Sequence, residues 1–225
     1  RGLHAAGWSV AIHCNRSRAG ADALTREFQA ARPGSAAVFE AELRDISGLE
    51  PLVAAVHAHF GRLDGLVNNA SCYYSTPLAE LNEAAFDELV DINFKVPILM
   101  TRACLPHFGA TACVVNVIDA LARHARPGYV AYGAAKSALW TATEILAAEL
   151  APSVRVNAVA PGHHIAWEEQ EPLTQAQRQA APASVPLQRL GHPEEVAAAV
   201  VFLMSAQAAF INGAVLPVDG GLLLG

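Results

Sequence analysis

A tyrosine and a lysine four residues apart, with an aspartate thirteen residues before the tyrosine, are the side chains of this sequence best spaced for proton transfer. They are Tyr132, Lys136 and Asp119. Side chains at i and i+4 lie one above the other on a helix, so the Lys136 ammonium is expected to lower the pKa of the Tyr132 phenol and prepare it for proton exchange. The same spacing is common on solvated helix faces, so its meaning depends on the elements that position it.

Composition narrows the class of protein before any motif is used. With 225 residues, 53% of them hydrophobic and 16% charged, the chain is expected to form one globular domain with a large core. A formal charge of -6 argues against nucleic acid or an anionic membrane as the main partner. The cysteines have neither CxxC nor metal-ligand spacing, which predicts free thiols, a reducing cytoplasmic compartment and no metal site. They are Cys14, Cys72, Cys104 and Cys113.

Short runs of β-forming residues alternate with helix-periodic segments along the chain. Strands are predicted at 8–14, 35–42, 63–68, 111–118, 154–159 and 214–218. Helices are predicted at 18–31, 47–60, 82–107, 129–150 and from 193 onward. Asn82 is the expected cap of the third of these helices, and the Ser-x-x-Glu pattern at Ser47 predicts a capping box for the second. The alternation predicts an α/β fold of the Rossmann type, a doubly wound parallel sheet in three layers, in a single domain spanning 1–225.

Polar or unusual residues follow most of the predicted strands. In open parallel sheets ligands bind outside the carboxyl ends of the strands, so these residues are expected to converge on one cleft. They are Asn15, Arg16 and Ser17; Glu42 and Leu43; Asn69, Ala70 and Ser71; Asp119; and Pro161 and Gly162.

Over nearly its whole length the chain resembles the short-chain dehydrogenase/reductase family. The resemblance rests on Asn68-Asn69-Ala70, Asn93, Tyr132-Gly133-Ala134-Ala135-Lys136, Pro161-Gly162 and Val218-Asp219-Gly220-Gly221. That family usually has a serine where this chain has Asp119. An aspartate there, together with residues 69–78, is similar to the pteridine reductase branch, in which an aromatic residue and the nicotinamide sandwich a pterin ring. The resemblance gives that aromatic role to Tyr73.

The change from serine to Asp119 makes chemical sense for a pterin. A hydroxyl suits a carbonyl oxygen that gains charge, whereas a carboxyl suits a ring whose reduction needs a proton on nitrogen and whose N–H groups need an acceptor. An ionised Asp119 would oppose the effect of Lys136 on Tyr132, so the three groups are expected to titrate as a coupled set. The other interpretation of Asp119 is a cap or turn residue after a strand.

The turn after the first strand bears on the cofactor. A dinucleotide-binding unit that prefers NAD places an acid there, whereas this chain has Arg16 and Ser17, which predicts NADPH. A solvated arginine in an ordinary turn is the alternative. The resemblance places Glu42 and Leu43 beside the adenine, and Asn69 and Ala70 along the cofactor.

Other residues take their roles from the resemblance as well. Asn93 would hold a water that links Lys136 to solvent, or it would satisfy an irregularity of its helix. Residues 163–191 would form the substrate loop, in which His164 would line the substrate site. Trp167 would either line that site or anchor the loop. Tyr74 and Tyr129 are interpreted as packing residues.

The function expected from these residues is NADPH-dependent reduction of a dihydropterin, or of dihydrofolate, by a homotetramer. A carbonyl reductase, such as an oxoacyl thioester reductase, is the competing enzyme. A catalytically idle nucleotide-binding oligomer is the alternative from another class. The family's glycine-rich phosphate loop and the strand before it are not in the sequence, so about 20 to 25 further residues are expected ahead of Arg1.

Overall fold

The computed structural model describes residues 1–163 and 182–224. In those ranges strands alternate with helices as predicted. The strands are β1 Val10–Cys14, β2 Ala36–Glu40, β3 Leu63–Asn68, β4 Phe108–Val117, β5 Val154–Pro161 and β6 Val215–Val218. The helices are α1 Gly2–Ala5, α2 Arg18–Ala31, α3 Leu49–Phe60, α4 Glu83–Val90, α5 Val96–Cys104, α6 Val130–Glu149 and α7 Pro193–Met204. Residues 164–181, most of the predicted substrate loop, lie outside the described residues.

The strand pairs are parallel, and helices cover both faces of the larger sheet. Consecutive side chains of a strand point to opposite faces. In β4, Val114 packs with Ala147 of α6, whereas Val115 packs with Leu203 of α7, and both valines are fully buried. Such two-sided burial is typical of parallel sheets between helices, so the predicted three-layer Rossmann-type α/β fold is confirmed.

The described strands form two sheets. One has the order β1-β2 and the other β3-β4-β5-β6. Residues of β1 and β3 together line a cavity of about 880 Å³, whose walls include Val10, Phe39 and Val67.

Helix capping was predicted correctly at one of two positions. The Asn82 side chain accepts the backbone N–H of Ala85 at 3.0 Å and begins α4 as expected. The capping box at Ser47 is wrong, because Asp45 accepts both the N–H and the hydroxyl of Ser47, at 3.1 and 2.6 Å. The bonded Ser47 lies in a short 3₁₀ turn that precedes α3.

The long helix predicted at 82–107 is interrupted. A π-helical turn, Asp91–Lys95, separates α4 from α5. The side-chain amide of Asn93 donates to the Leu89 carbonyl at 2.9 Å, and Pro97 has no N–H to give to the carbonyl of Asn93. Both effects disturb the regular hydrogen-bond ladder at the same place. The alternative interpretation of Asn93, as a residue that satisfies a helix irregularity, is confirmed.

The four cysteines are free thiols, as predicted. Burial raises the pKa of Cys104 to about 12 and that of Cys72 to about 11, so both thiols stay protonated near neutral pH. Across 1–163 and 182–224, no helix is both long and apolar enough to cross a membrane.

A chain of buried hydrogen bonds joins β3, β4 and α6. The Asn68 amide donates to Asn116 Oδ1 at 2.8 Å, and the Asn116 amide donates to Thr143 Oγ1 at 2.9 Å. Asn116 and Thr143 are about 1% exposed or less. Low-dielectric surroundings strengthen such bonds and make their loss costly, so this chain fixes where α6 lies on the sheet.

Asn116→Ala should therefore destabilise the fold by about 2–4 kcal/mol, because it leaves polar groups of Asn68 and Thr143 buried with a partner removed. Denaturant unfolding monitored by circular dichroism measures the change. Thr25→Ala is the matched control, since it removes a half-buried hydroxyl bonded to Ala21 of its own helix and should cost less than about 1 kcal/mol. Equal losses in the two variants would contradict the role of the Asn116 chain.

Candidate active site

Two neighbouring elements present the proton-transfer residues. Asp119 follows β4 by two residues, and the first two turns of α6 carry Tyr132 and Lys136. The helix is rich in alanine, the strongest helix former, and its buried face includes both catalytic candidates. Tyr132 is 7% exposed and Lys136 is 2% exposed. The predicted triad is therefore assembled at the carboxyl edge of the sheet.

Each oxygen of the Asp119 carboxylate accepts one hydrogen bond, and the two donors differ. Its Oδ2 accepts the phenolic O–H of Tyr132 at 2.9 Å. Its Oδ1 accepts the backbone N–H of Leu121 at 2.7 Å and begins the 3₁₀ turn Ala120–Arg123. The interpretation of Asp119 as a turn residue is confirmed. Its other oxygen faces the tyrosine, and its catalytic role stays a prediction.

Lys136 does not act on Tyr132 as the spacing predicted. Its ammonium donates to the Val117 carbonyl at 2.9 Å and lies 5.9 Å from the centroid of the Tyr132 ring. Burial, followed by the charge and hydrogen bond of Asp119, raises the pKa of Tyr132 well above its ordinary value. The expected lowering of the Tyr132 pKa is therefore wrong for this structure, because desolvation and a nearby carboxylate outweigh the lysine.

The directions of the pKa shifts support the expected coupling of Asp119, Tyr132 and Lys136. Burial lowers the pKa of Lys136 to about 8, and the charge of Asp119 opposes that change. The same carboxylate raises the pKa of Tyr132. Asp119 therefore favours the protonated forms of both neighbours, so their titrations depend on one another.

Three tyrosine rings form an aromatic group beside the triad. Tyr73 stacks on Tyr129 with centroids 5.2 Å apart, and it meets Tyr132 edge to face at 4.9 Å. The predicted aromatic side chain is thus in contact with the catalytic candidate. Tyr129 is buried and packs as predicted. Tyr74 packs against the same cluster of buried residues and donates its hydroxyl to Glu88 at 2.8 Å.

Asn93 holds the segment that follows β3. Its amide donates to the Cys72 carbonyl at 2.8 Å, and its oxygen accepts the hydroxyl of Ser71 at 2.6 Å. The segment that carries Tyr73 is thereby anchored to the buried π-helical turn. A water held by Asn93 stays a prediction.

The residues predicted to contact the cofactor lie at the ends of β1, β2, β3 and β5. The Asn15 amide donates to Glu42 at 2.7 Å, so these two side chains do come together. The backbone N–H of Arg44, then Asn15 and then the charge of Arg16, hold the pKa of Glu42 below its ordinary value. An ionised Glu42 and the Arg16 guanidinium are therefore neighbours at this edge.

The remaining predicted cofactor contacts differ in exposure. Asn69, Ala70 and Ser17 are exposed, whereas Leu43 is buried in the core between α3 and α5. Gly162 has a structural reason to be glycine, because a Cβ there would lie 2.7 Å from the Cα of Asp219. It continues from Pro161, the last residue of β5. His164 and Trp167 lie outside the described residues.

Sequence reasoning missed Arg126 as a residue of this site. Its guanidinium lies 4.0 Å from the centroid of the Tyr129 ring and 5.4 Å from that of Tyr73. Its charge also acts on Tyr132, whose pKa it lowers slightly against the larger opposing causes. The Arg126-Pro127-Gly128 turn signal just ahead of α6 could have indicated that this side chain stays close to the tyrosines.

Comparison with known proteins gives matches over almost the whole chain. A family model described as enoyl-(acyl carrier protein) reductase matches residues 1–223. Pteridine reductase 1 of Leishmania tarentolae is 33% identical over 99% of this chain and 90% of that protein. The 3-oxoacyl-[acyl-carrier-protein] reductase FabG of Thermotoga maritima is 32% identical over 92% of this chain and 85% of that protein. Glucose 1-dehydrogenase 2 of Bacillus subtilis is 31% identical over 96% of this chain and 85% of that protein. The names of these relatives agree on oxidoreduction but differ in substrate.

The buried Lys136 charge should make the cofactor-free protein less stable than a neutral variant. Its folded pKa of about 8 lies below the ordinary 10.5, so the destabilisation is full below about pH 8 and is lost as pH rises toward about 10.5. A pKa shift of that size corresponds to a destabilisation of roughly 3 kcal/mol. A neutral variant would also lose the hydrogen bond to Val117, which stabilises the fold by about 1 kcal/mol.

Lys136→Met should accordingly be more stable than the parent at about pH 7, and the difference should shrink by about pH 9.5. Denaturant unfolding of both proteins at the two pH values measures the difference in the free energy of unfolding. The two proteins have all other titrating groups in common, so the change in that difference reports on Lys136. A constant difference would show that Lys136 is not the group whose charge destabilises the fold.

Proposed function

The chain belongs to the short-chain dehydrogenase/reductase family, and on that basis we propose that it reduces a pterin with NADPH. The observation that carries the proposal is the 2.9 Å hydrogen bond from Tyr132 to Asp119, with Tyr73 edge-on to the same tyrosine. A carboxyl group at this place suits a substrate that must be protonated on nitrogen and that offers N–H donors. Tyr73, which is only partly buried, offers a flat ring an aromatic surface.

The family uses a nicotinamide cofactor, and the residues at this site fit one. An ammonium carries three donors, of which Lys136 gives one to Val117, and ribose hydroxyls are acceptors suited to such a group. Asn69 and Ala70 would lie along the cofactor, while Asn15, Arg16 and Ser17 would hold its adenosine end. When bound, the reduced nicotinamide supplies a hydride to the carbon of a ring C=N bond.

The chain's own residues supply the proton that the ring nitrogen then needs. Asp119 accepts a hydrogen bond from the Tyr132 hydroxyl and would pass that proton toward the ring. Lys136, with a pKa of about 8, is a stronger acid than Tyr132, whose pKa is well above 10. Lys136 can therefore return a proton to the phenolate, and solvent restores the lysine. The balance is one hydride and one proton added across the C=N bond.

A homotetramer remains part of the proposal. Ile145 on α6 is 58% exposed, and Phe210, which precedes β6, is fully exposed. Large exposed apolar side chains often mark contacts with another chain. They lie on the helix and near the strand that the family resemblance assigns to subunit contacts.

NADPH oxidation, followed by absorbance with dihydrobiopterin, dihydrofolate and an acetoacetyl thioester in parallel, tests the function. Turnover of at least one pterin well above that of the thioester is expected, because Asp119 replaces the hydroxyl that would stabilise a carbonyl oxygen. Turnover of the thioester alone would favour the carbonyl reductase, and turnover of none of the three would favour the idle nucleotide-binding protein.

Asp119→Ser is the matched variant for the same assay. It should lower pterin turnover by about 100-fold, which is typical of losing a proton-transfer group, and leave NADPH binding within about twofold. NADPH binding is measured by fluorescence titration. Equal losses of turnover and cofactor binding would mean that Asp119 serves only to begin its turn.

Cofactor preference should depend on the opposing charges of Arg16 and Glu42. Arg16→Ala should raise the KM for NADPH by about tenfold and leave that for NADH nearly unchanged, because it removes a charge-assisted bond to the 2′-phosphate at an exposed site. Glu42→Gln should shift preference further toward NADPH. Arg18→Ala is the control, since Arg18 is paired with Asp22 and Glu40. An Arg16 variant that behaves like the Arg18 variant would identify Arg16 as a solvated turn residue.

A further inference from the structure

Ser137 follows Lys136 on α6 and makes a hydrogen bond that leaves the helix. It is half-buried, and its hydroxyl donates to the Ala122 carbonyl at 2.5 Å, fifteen residues back along the chain. The rest of α6 is rich in alanine, and serine is a weaker helix former than alanine. Helix formation therefore gives no reason for a serine at this position, whereas the contact with Ala122 does.

The turn that Ser137 contacts begins at Asp119. The Asp119 Oδ1 accepts the backbone N–H of Leu121 at 2.7 Å, and the Asp119 carbonyl accepts that of Ala122 at 3.1 Å. The Ala122 carbonyl in turn accepts the Ser137 hydroxyl. Ser137 is thus linked, through one turn of backbone, to the residue whose carboxylate bonds to Tyr132.

Apolar packing also holds this turn against α6. Ala120 is 1% exposed and belongs to the same core cluster as Leu139 of α6. The hydrophobic effect is non-directional, and alanine is small, so this packing keeps the turn close to the helix without fixing its rotation. The hydrogen bond from Ser137 to Ala122 supplies that direction.

These contacts close a ring. It passes from the Tyr132 hydroxyl to Asp119, along the turn to Ala122, across to Ser137 and back along α6 to Tyr132, which lies five residues earlier on the same helix. Because α6 is a regular helix, it holds the Tyr132 and Ser137 ends of the ring at a set spacing. Opening the ring at Ser137 would let the turn rotate and carry the Asp119 carboxylate away from the phenol, although both groups would still be present.

We propose that Ser137 is a positioning residue, which orients the Asp119 carboxylate toward Tyr132 and the substrate by fixing the turn through Ala122. The inference rests on the proposed function, in which Asp119 passes a proton to a pterin ring. Misplacing a reacting group by about 1 Å can lower turnover by up to about 100-fold, so kcat is the quantity that should respond.

The test measures kcat and KM for dihydrobiopterin and dihydrofolate with NADPH. Ser137→Ala should lower kcat by about tenfold, less than the roughly 100-fold loss expected of Asp119→Ser, because the carboxyl group is still present. The Kd for NADPH, measured by fluorescence titration, should stay within about twofold of the parent value, since the change affects the orientation of an acid and not cofactor binding. Ser137→Thr keeps the hydroxyl and should retain kcat within about threefold.

A double-mutant cycle separates positioning from a general structural effect. In the Asp119→Ser background, Ser137→Ala should lower kcat by less than about twofold, because a residue that acts through the carboxylate then has none to orient. A further loss of about tenfold in that background would show that Ser137 acts independently of Asp119, and the inference would be wrong.

Thr25→Ala is the matched control for removing a hydroxyl. Thr25 is also half-buried and also donates to a backbone carbonyl, that of Ala21 at 2.9 Å, but it lies on α2. Its kcat should stay within about twofold of the parent value. The midpoint of thermal unfolding of Ser137→Ala should lie within about 4 °C of that of the parent, because alanine regains helix propensity while one hydrogen bond is lost.

The possible failures can be told apart. If a pterin is reduced and Ser137→Ala leaves its kcat unchanged, the role of Ser137 is wrong while the proposed function stands. If Thr25→Ala lowers kcat as much as Ser137→Ala does, the effect is a general one and the inference also fails. If the parent protein reduces neither pterin, the proposed function fails and this inference fails with it.

Discussion

The position of α6 on the sheet is the constraint on which the site depends. The hydrogen bond of Asn116 to Thr143 holds this helix against β4, and the bond of Asn68 to Asn116 holds β4 against β3. Asp119 belongs to the chain that continues from β4, whereas Tyr132 belongs to α6, so their 2.9 Å contact spans the two elements. A shift of the helix by one ångström would stretch that bond beyond useful geometry. The buried amides therefore serve the chemistry although they lie away from it.

The same packing determines the electrostatics of the three catalytic groups. Close burial removes water from Lys136 and Tyr132 and disfavours the charged form of each, which moves the lysine pKa down and the tyrosine pKa up. Near neutral pH the result is a neutral phenol that donates to a carboxylate, with a lysine that releases its proton more readily than an ordinary one. If Tyr132 lost its proton during a reaction, the phenolate would be a stronger base than the Lys136 amine, the reverse of a tyrosine acidified by a lysine. Binding of a cofactor changes the solvent around these groups, so the order of acidity is a property of the ligand-free site.

Much of this architecture could be predicted from the sequence because local rules decide it. The 18–31 helix and the 63–68 strand have the predicted bounds, and Asn82 caps its helix, since periodicity and cap chemistry act over a few residues. The wrong predictions concern positions where two groups compete for one hydrogen-bond partner or where two effects compete in setting one pKa, and residue spacing does not show which prevails. Asp45 competed with Ser47 for the same turn, Asn93 competed with the backbone for the Leu89 carbonyl, and burial outweighed Lys136 in setting the Tyr132 pKa. Arg126 was missed because Tyr73, one of its two aromatic neighbours, lies on a different loop and comes close only after folding.

The division between rigid elements and loops explains why the relatives agree on reaction type but not on substrate. Tyr132 and Lys136 lie on a helix whose sequence must also satisfy the core, so a change there affects both folding and catalysis. Tyr73, Asp119 and Arg126 lie on segments that follow strand ends, where a substitution alters the surface offered to a substrate and leaves the sheet intact. Relatives that are 31–33% identical can thus share a fold while differing at a few such positions. Overall identity measures mostly the scaffold, so the substrate of this chain has to be inferred from the side chains on these segments rather than from the identity to any one relative.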